Sequence, residues 1–202
     1  TAETVPAVTE AADSAAKEMP SFDDISRGDY YYDAVQWAVE KGITQGTTSS
    51  TFSPEENCTR AQIITFLWRA AGSPVPSNGT AGFGDVPTGT YYRDAVQWAV
   101  ENGISGGIGP DTFGPDRNAS RAEVISLLYR AAGSPDVRSD HVFTDVAESS
   151  YYSRAVQWAY ELGISRGTGG DRFSPDEVCT RAQILSLMHR FALSSQAAAD
   201  AQ

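Results

Sequence analysis

The chain has 202 residues, 41% hydrophobic and 20% charged, with a formal net charge of −11. That is apolar mass enough for a core, and the negative charge excludes nucleic acid as a partner, which calls for basic stripes that displace counterions. No run approaches the roughly 18 apolar residues of a membrane helix, two cysteines make no disulfide framework, and His141 and His189 fit no metal-ligand spacing.

The chain opens without Met and without an apolar leader core, which reads as a mature form or an excised segment. Residues 1–20 are acidic and rich in Ala, Glu and Thr, suited to a flexible stalk or a lone helix. From there one pattern recurs three times. Unit one runs from Ser21 to Pro74, unit two from Gly82 to Pro135 and unit three from Val142 to Ser194, with 195–202 as a tail. Short Pro/Ser/Gly/Asp-rich linkers separate the units. Each unit carries the same phrases in the same order: Phe-x-Asp-Val/Ile, Tyr-Tyr, "AVQWA", Gly-Ile, a Gly-rich loop, Phe-x-Pro and Ser/Thr-Arg-Ala-Gln/Glu.

Two helices are predicted per unit. The first covers about Tyr31–Lys41, Tyr92–Asn102 and Tyr152–Leu162, with apolar residues such as Ala34, Val35 and Ala38 at helical spacing. Gly42, Gly103 and Gly163 stand where a left-handed stop is needed, each followed by an Ile that supplies its apolar contact. The second covers about Arg60–Ala71, Arg121–Ala132 and Arg181–Ala192, and Gly-Ser-Pro ends the first two of these. One helix pair cannot bury its own apolar face, so the fold class is all-α, with three helix-loop-helix units packed into a compact pseudo-threefold body.

The second helices open with capping boxes, Thr59-x-x-Gln62, Ser120-x-x-Glu123 and Thr180-x-x-Gln183. Capping does not explain Arg60, Arg121 and Arg181, because a first-turn cation opposes the helix dipole by about 0.3–1 kcal/mol when exposed. Three readings are open: inheritance from one copied unit, an ion pair with Asp24, Asp85 or Asp145, and an anion site aided by free helix-start amides. Trp37, Trp98 and Trp158 fit a core at helical spacing or a wall that stacks on a sugar. Gly46, Gly107 and Gly167 join the helices, and such positions also let backbone approach a ligand closely. Cys58 and Cys179, with Ala119 between them in register, read as small buried side chains rather than a disulfide. The loop aspartates lack an EF-hand pattern, no catalytic set appears, and neither an enzyme nor a cofactor is expected.

The ordered triplication resembles the S-layer homology (SLH) module over about Phe22–Leu193. The resemblance implies a three-pronged spindle whose inter-repeat grooves bind an anionic secondary cell-wall polysaccharide non-covalently, typically through terminal pyruvylated N-acetylmannosamine. Arg60, Arg121 and Arg181 take the place of the family's arginine, one per groove, with the aspartates, tryptophans and glycines above as further candidate ligand contacts. Gln62 and Gln183 depart from the family's Glu, which Glu123 keeps. The expected setting is a secreted protein of a bacterial cell surface, wall or S-layer, with no membrane insertion. Self-association into a surface layer or filament is the alternative.

Overall fold

The structure, a computed structural model, describes residues 22–77, 82–138 and 142–200. The acidic stretch expected over 1–20 lies outside the described residues. Among the described residues there are six helices: α1 (Tyr32–Glu40), α2 (Arg60–Ala70), α3 (Arg93–Glu101), α4 (Arg121–Ala131), α5 (Ser153–Glu161) and α6 (Arg181–Asp200).

Local signals act where the sequence places them. Gly42 takes φ +70°, its N–H donates to the Val39 carbonyl, and the Ile43 N–H reaches the Ala38 carbonyl at 2.7 Å, the paired bonds of a Schellman stop. Ile43 is fully buried behind it. The boxes at Thr59/Gln62 and Ser120/Glu123 are closed in both directions, as is Thr180/Gln183. The last helix differs from its siblings. Predicted to end near Ala192, α6 continues to Asp200, because "FALSSQAAAD" replaces the Gly-Ser-Pro stop with residues that favour helix.

The helices pair across the repeats rather than within them. The main contacts are α1 with α6, α2 with α3, and α4 with α5, so the first helix of each unit lies on the second helix of another. The pairing is cyclic, because unit one leans on unit three. Helices α2, α4 and α6 begin around one closed ring of backbone bonds. The Cys58 N–H donates to the Cys179 carbonyl, Cys179 to Ala119 and Ala119 to Cys58, each at 3.2 Å. All three ring residues are fully buried. Burial drives the Cys58 thiol up to about 12 and the Cys179 thiol to about 11, against the opposing pull of Arg181 and Arg121 respectively. Both thiols are free.

Within each unit the Phe-x-Asp phrase fastens the loop that precedes the second helix. The carboxylate of Asp24 accepts from the amides of Phe52 and Ser53 at 2.8 and 2.6 Å. Asp85 does the same for Phe113 and Gly114, and Asp145 for Phe173 and Ser174. The paired phenylalanines meet beside these bonds, Phe22 on Phe52, Phe83 on Phe113 and Phe143 on Phe173, with centroids 5.6–5.9 Å apart.

Burial alone would raise the Asp145 carboxyl, but the amides of Phe173 and Ser174 and the nearby Arg172 outweigh it and hold it below the ordinary 3.8. Its stabilisation is therefore complete above that range and is lost as pH falls through the depressed value. Asp145→Asn sets an amide NH2 against a backbone donor and is expected to cost about 1–3 kcal/mol near neutral pH. Urea unfolding should show the gap between variant and parent narrowing from about pH 7 to about pH 3. An aromatic disulfide reagent at about pH 8, below the values to which burial drives both thiols, should find neither thiol in the native protein and both after unfolding.

Candidate functional site

The three first-turn arginines are buried, with 4, 8 and 4% of Arg60, Arg121 and Arg181 exposed. Each reaches into a neighbouring unit. Arg60 Nε donates to the Phe113 carbonyl at 3.0 Å, Arg121 Nε to Phe173 at 2.9 Å and Arg181 Nε to Phe52 at 3.0 Å. Each guanidinium also lies over the ring of that same phenylalanine, 4.9–5.0 Å from its centroid. Arg60 and Arg121 add a bond from Nη2 to the hydroxyls of Ser105 and Ser165.

These contacts correct two expectations. No ion pair joins these arginines to Asp24, Asp85 or Asp145 among the described residues, since the aspartates are engaged by backbone amides and hold the loop that the arginine grips. The helix-start amides are not free. The Arg60 and Ala61 N–H groups donate to the carbonyls of Arg117 and Pro115, those of Arg121 and Ala122 to Glu177 and Pro175, and those of Arg181 and Ala182 to Glu56 and Pro54. The helix therefore begins against a row of carbonyl oxygens on the neighbouring loop. Their partial negative charge accommodates a cation in the first turn that the helix dipole alone would disfavour.

The arginines also border two cavities. One, of about 310 Å³, has Arg60, Ser105, Gly107, Ile108, Glu123, Ser126, Leu127, Arg130 and Tyr151 around it. Another, of about 490 Å³, is lined by Arg121, Ser165, Arg166, Gly167, Gln183, Ser186, Leu187, Arg190 and Tyr30, with Gly163 and Thr168 at its edge. The two are built from equivalent positions, and each takes residues from all three units. Glu123 lies in the first, where it pairs with Arg60 at 3.5 Å and with Arg117.

Other candidates fall elsewhere. Trp37, Trp98 and Trp158 pack with the core; Trp37 faces His189 at 5.2 Å, and Trp158 sits between Tyr129 and Phe191. None of them lines the two cavities. Gly107 and Gly167 do line them, but their conformation is required by packing. At Gly107, with φ +80°, a Cβ would stand 2.6 Å from the Phe83 ring and 2.7 Å from the Thr112 carbonyl. Gly46 meets the equivalent Phe22 and Thr51 in the same way.

Sequence reasoning missed two recurring groups, some members of which line the cavities. Arg69, Arg130 and Arg190 stand second in "WRAAGSP", "YRAAGSP" and "HRFALSS" and hold the carbonyls of Ile43, Ile104 and Ile164 at 3.0–3.3 Å. Arg69 and Arg130 stand in the last turns of α2 and α4, where a basic residue suits the dipole and so drew no attention, and Arg190 lies within the longer α6. Tyr30 and Tyr151 open their Tyr-Tyr doublets and remain 65 and 66% exposed, and burial of the hydroxyl end together with a nearby glutamate raises both phenols. The signal available was an exposed aromatic repeated three times.

Among the described residues, no helix is long and apolar enough to cross a membrane, and no cluster of three or more side chains suits a metal ion. The family model for the S-layer homology domain matches residues 21–64, 82–125 and 142–185. The chain is 27% identical over 184 residues to the surface-layer 125 kDa protein of Lysinibacillus sphaericus, covering 88% of this chain and 15% of that one. It is 27% identical over 170 residues to an S-layer protein of Bacillus thuringiensis subsp. finitimus, covering 81% of this chain and 20% of the relative. An endoglucanase of Bacillus sp. strain KSM-635 is 28% identical over 170 residues, 80% of this chain and 18% of the enzyme. The chain thus spans a fifth or less of these relatives. The triplicated phrases, the six helices they form and the matched segments place this chain in the S-layer homology family, as three tandem SLH domains.

Proposed function

We propose that this chain is a non-covalent cell-wall anchor, which holds the protein that carries it to an anionic wall polysaccharide at a bacterial surface. The observation that carries the reading is the placement of buried arginines at the edge of open cavities built from several repeats. A guanidinium fixed along one edge by a carbonyl and a serine keeps donors for a carboxylate, and its fork matches that anion in a bidentate way. Because its position is set before binding, little ordering entropy remains to be lost. Tyr30 or Tyr151 offers an aromatic face to a sugar ring, and the Ser and Gly lining offers small polar contacts. On a chain of net charge −11, such local cations are what an acidic ligand would need.

In this reading the units 21–74, 82–135 and 142–194 form the three prongs of a spindle, and cyclic helix pairing supports that arrangement. The ligand group is the ketal carboxylate of a terminal pyruvylated N-acetylmannosamine. No catalysis is assigned to the chain.

The test is sedimentation of the protein with purified bacterial walls, before and after chemical removal of the secondary polymer and of its pyruvyl groups. Retention that disappears with the pyruvyl groups is the expected result. Arg121→Ala should weaken retention by about tenfold or more, the loss of one charge-assisted bond. Failure of the folded protein to be retained by walls that keep the polymer would overturn the anchor in favour of self-assembly.

A further inference from the structure

The grooves are copies in outline but not in charge or filling, and the differences all act on the arginine. At Arg60 the third nitrogen, Nη1, is engaged by Glu123, whose side chain is only 14% exposed and which also accepts from Arg117. An incoming carboxylate must compete with one already there. At Arg121 the corresponding residue is Gln183, neutral, with its Oε1 turned back to the Thr180 amide at 3.1 Å. Arg121 itself donates from Nε and Nη2 to the Phe173 carbonyl and the Ser165 hydroxyl. Arg166 and Arg190 line the same cavity, and no carboxylate among the described residues pairs with any of the three. Arg166 has no counterpart, since Gly106 and Gln45 occupy its position in the other units. It is held over the Tyr160 ring at 4.8 Å.

At Arg181 the change is of shape. Phe66 stands where the other units have Leu127 and Leu187, and its ring lies 5.6 Å from the guanidinium, which Phe52 also covers at 4.9 Å. Thr44 replaces the serine that steadies the other two, and no bond from Arg181 to it is present.

Resting on the anchor reading above, we propose that the three positions have separate roles: the Arg121 groove is the principal acidic-sugar site, the Arg60 groove is a weaker one held back by Glu123, and Arg181 is a structural clamp. Three arginines that pair with no carboxylate among the described residues line the Arg121 groove. The Arg60 groove is lined by two arginines and by Glu123, which is paired with Arg60, and this difference sets the order. Arg166 is the residue that makes the principal groove specific for acidic ligands, since it adds a charge that the other grooves lack.

The experiment is a heteronuclear NMR titration of the whole chain with the methyl glycoside of 4,6-O-pyruvylated N-acetylmannosamine, run beside wall sedimentation. The Gly163 and Gly167 amides report on the Arg121 groove, Gly107 and Ile108 on the Arg60 groove, and Gly46 and Thr47 on the Arg181 position. The first pair should saturate at a concentration about tenfold lower than the second, a difference of one charged contact. The third pair should not move. Glu123→Gln keeps the capping box, as Gln62 and Gln183 do, and should bring the Arg60 groove to within about threefold of the Arg121 groove. Arg166→Gly should weaken the Arg121 groove by about fivefold and leave Gly107 unchanged. Equal midpoints, or a first response at Gly107 or Gly46, would overturn the ranking while leaving the anchor intact. If no amide moves while walls are still retained, the ranking falls and another surface binds; if walls are not retained either, the anchor reading fails with it.

Discussion

Everything in this protein hangs on a helix that starts against its neighbour's carbonyls. In each unit the first two amides of the second helix and the arginine Nε all donate to one stretch of the next loop, at alternate residues such as Phe113, Pro115 and Arg117. That stretch is itself shaped by the aspartate of its own unit, through two amides. The order of dependence runs from aspartate to loop, from loop to the next helix start, and from helix start to the guanidinium at the cavity edge. A lysine would keep the charge but lose both the Nε bond and the planar stacking on phenylalanine. At Arg60 and Arg121 the same side chain thus closes the fold and lines a cavity, so the proposed binding and the folding would meet in one residue.

Much of this was legible in the sequence because it is local. Capping boxes, Gly-Ile stops and the helical spacing of Ala34, Val35 and Ala38 act within a few residues, and the structure has them where they were read. The triplication also disclosed the family. What the sequence did not disclose is partnership. Three near-identical apolar faces offer any first helix three near-identical places to pack, and chain proximity suggests the nearest. The structure takes another, α1 on α6. The same blindness affected the arginine. A cation, an aspartate and a set of helix-start amides invite pairing with one another, yet all three engage backbone that is invisible as a pattern of side chains. The groove tyrosines and the arginines Arg69, Arg130 and Arg190 were missed for the opposite reason, since each looked ordinary where it stood.

The copies have diverged in a way that follows these constraints. At the central ring only small residues occur, Cys58, Ala119 and Cys179, all without exposed surface. The phenylalanines under the arginines, Phe52, Phe113 and Phe173, are the same in all units and fully buried. Variation instead gathers around the guanidinium groups: Gln62, Glu123 and Gln183 in the capping box, Phe66, Leu127 and Leu187 above the guanidinium, and Gln45, Gly106 and Arg166 in the loop. Scaffold positions tie two units at once, so a change there disturbs both, whereas a cavity position affects one groove.

The cyclic pairing of helices also limits how such a protein can change in length. The stretch that repeats in sequence is out of phase by one helix with the body that packs, since each first helix belongs to another unit's second helix. An open solenoid can gain or lose a unit at either end, because its terminal faces are already capped. Here, among the described residues, α1 occupies the place on α6 where the first helix of a fourth unit would dock. Removing a unit would leave one helix of each kind without a partner. The number of units is therefore fixed by closure, and under the anchor proposed above a protein that needs more grip must acquire another whole set of three or a stronger groove within this one.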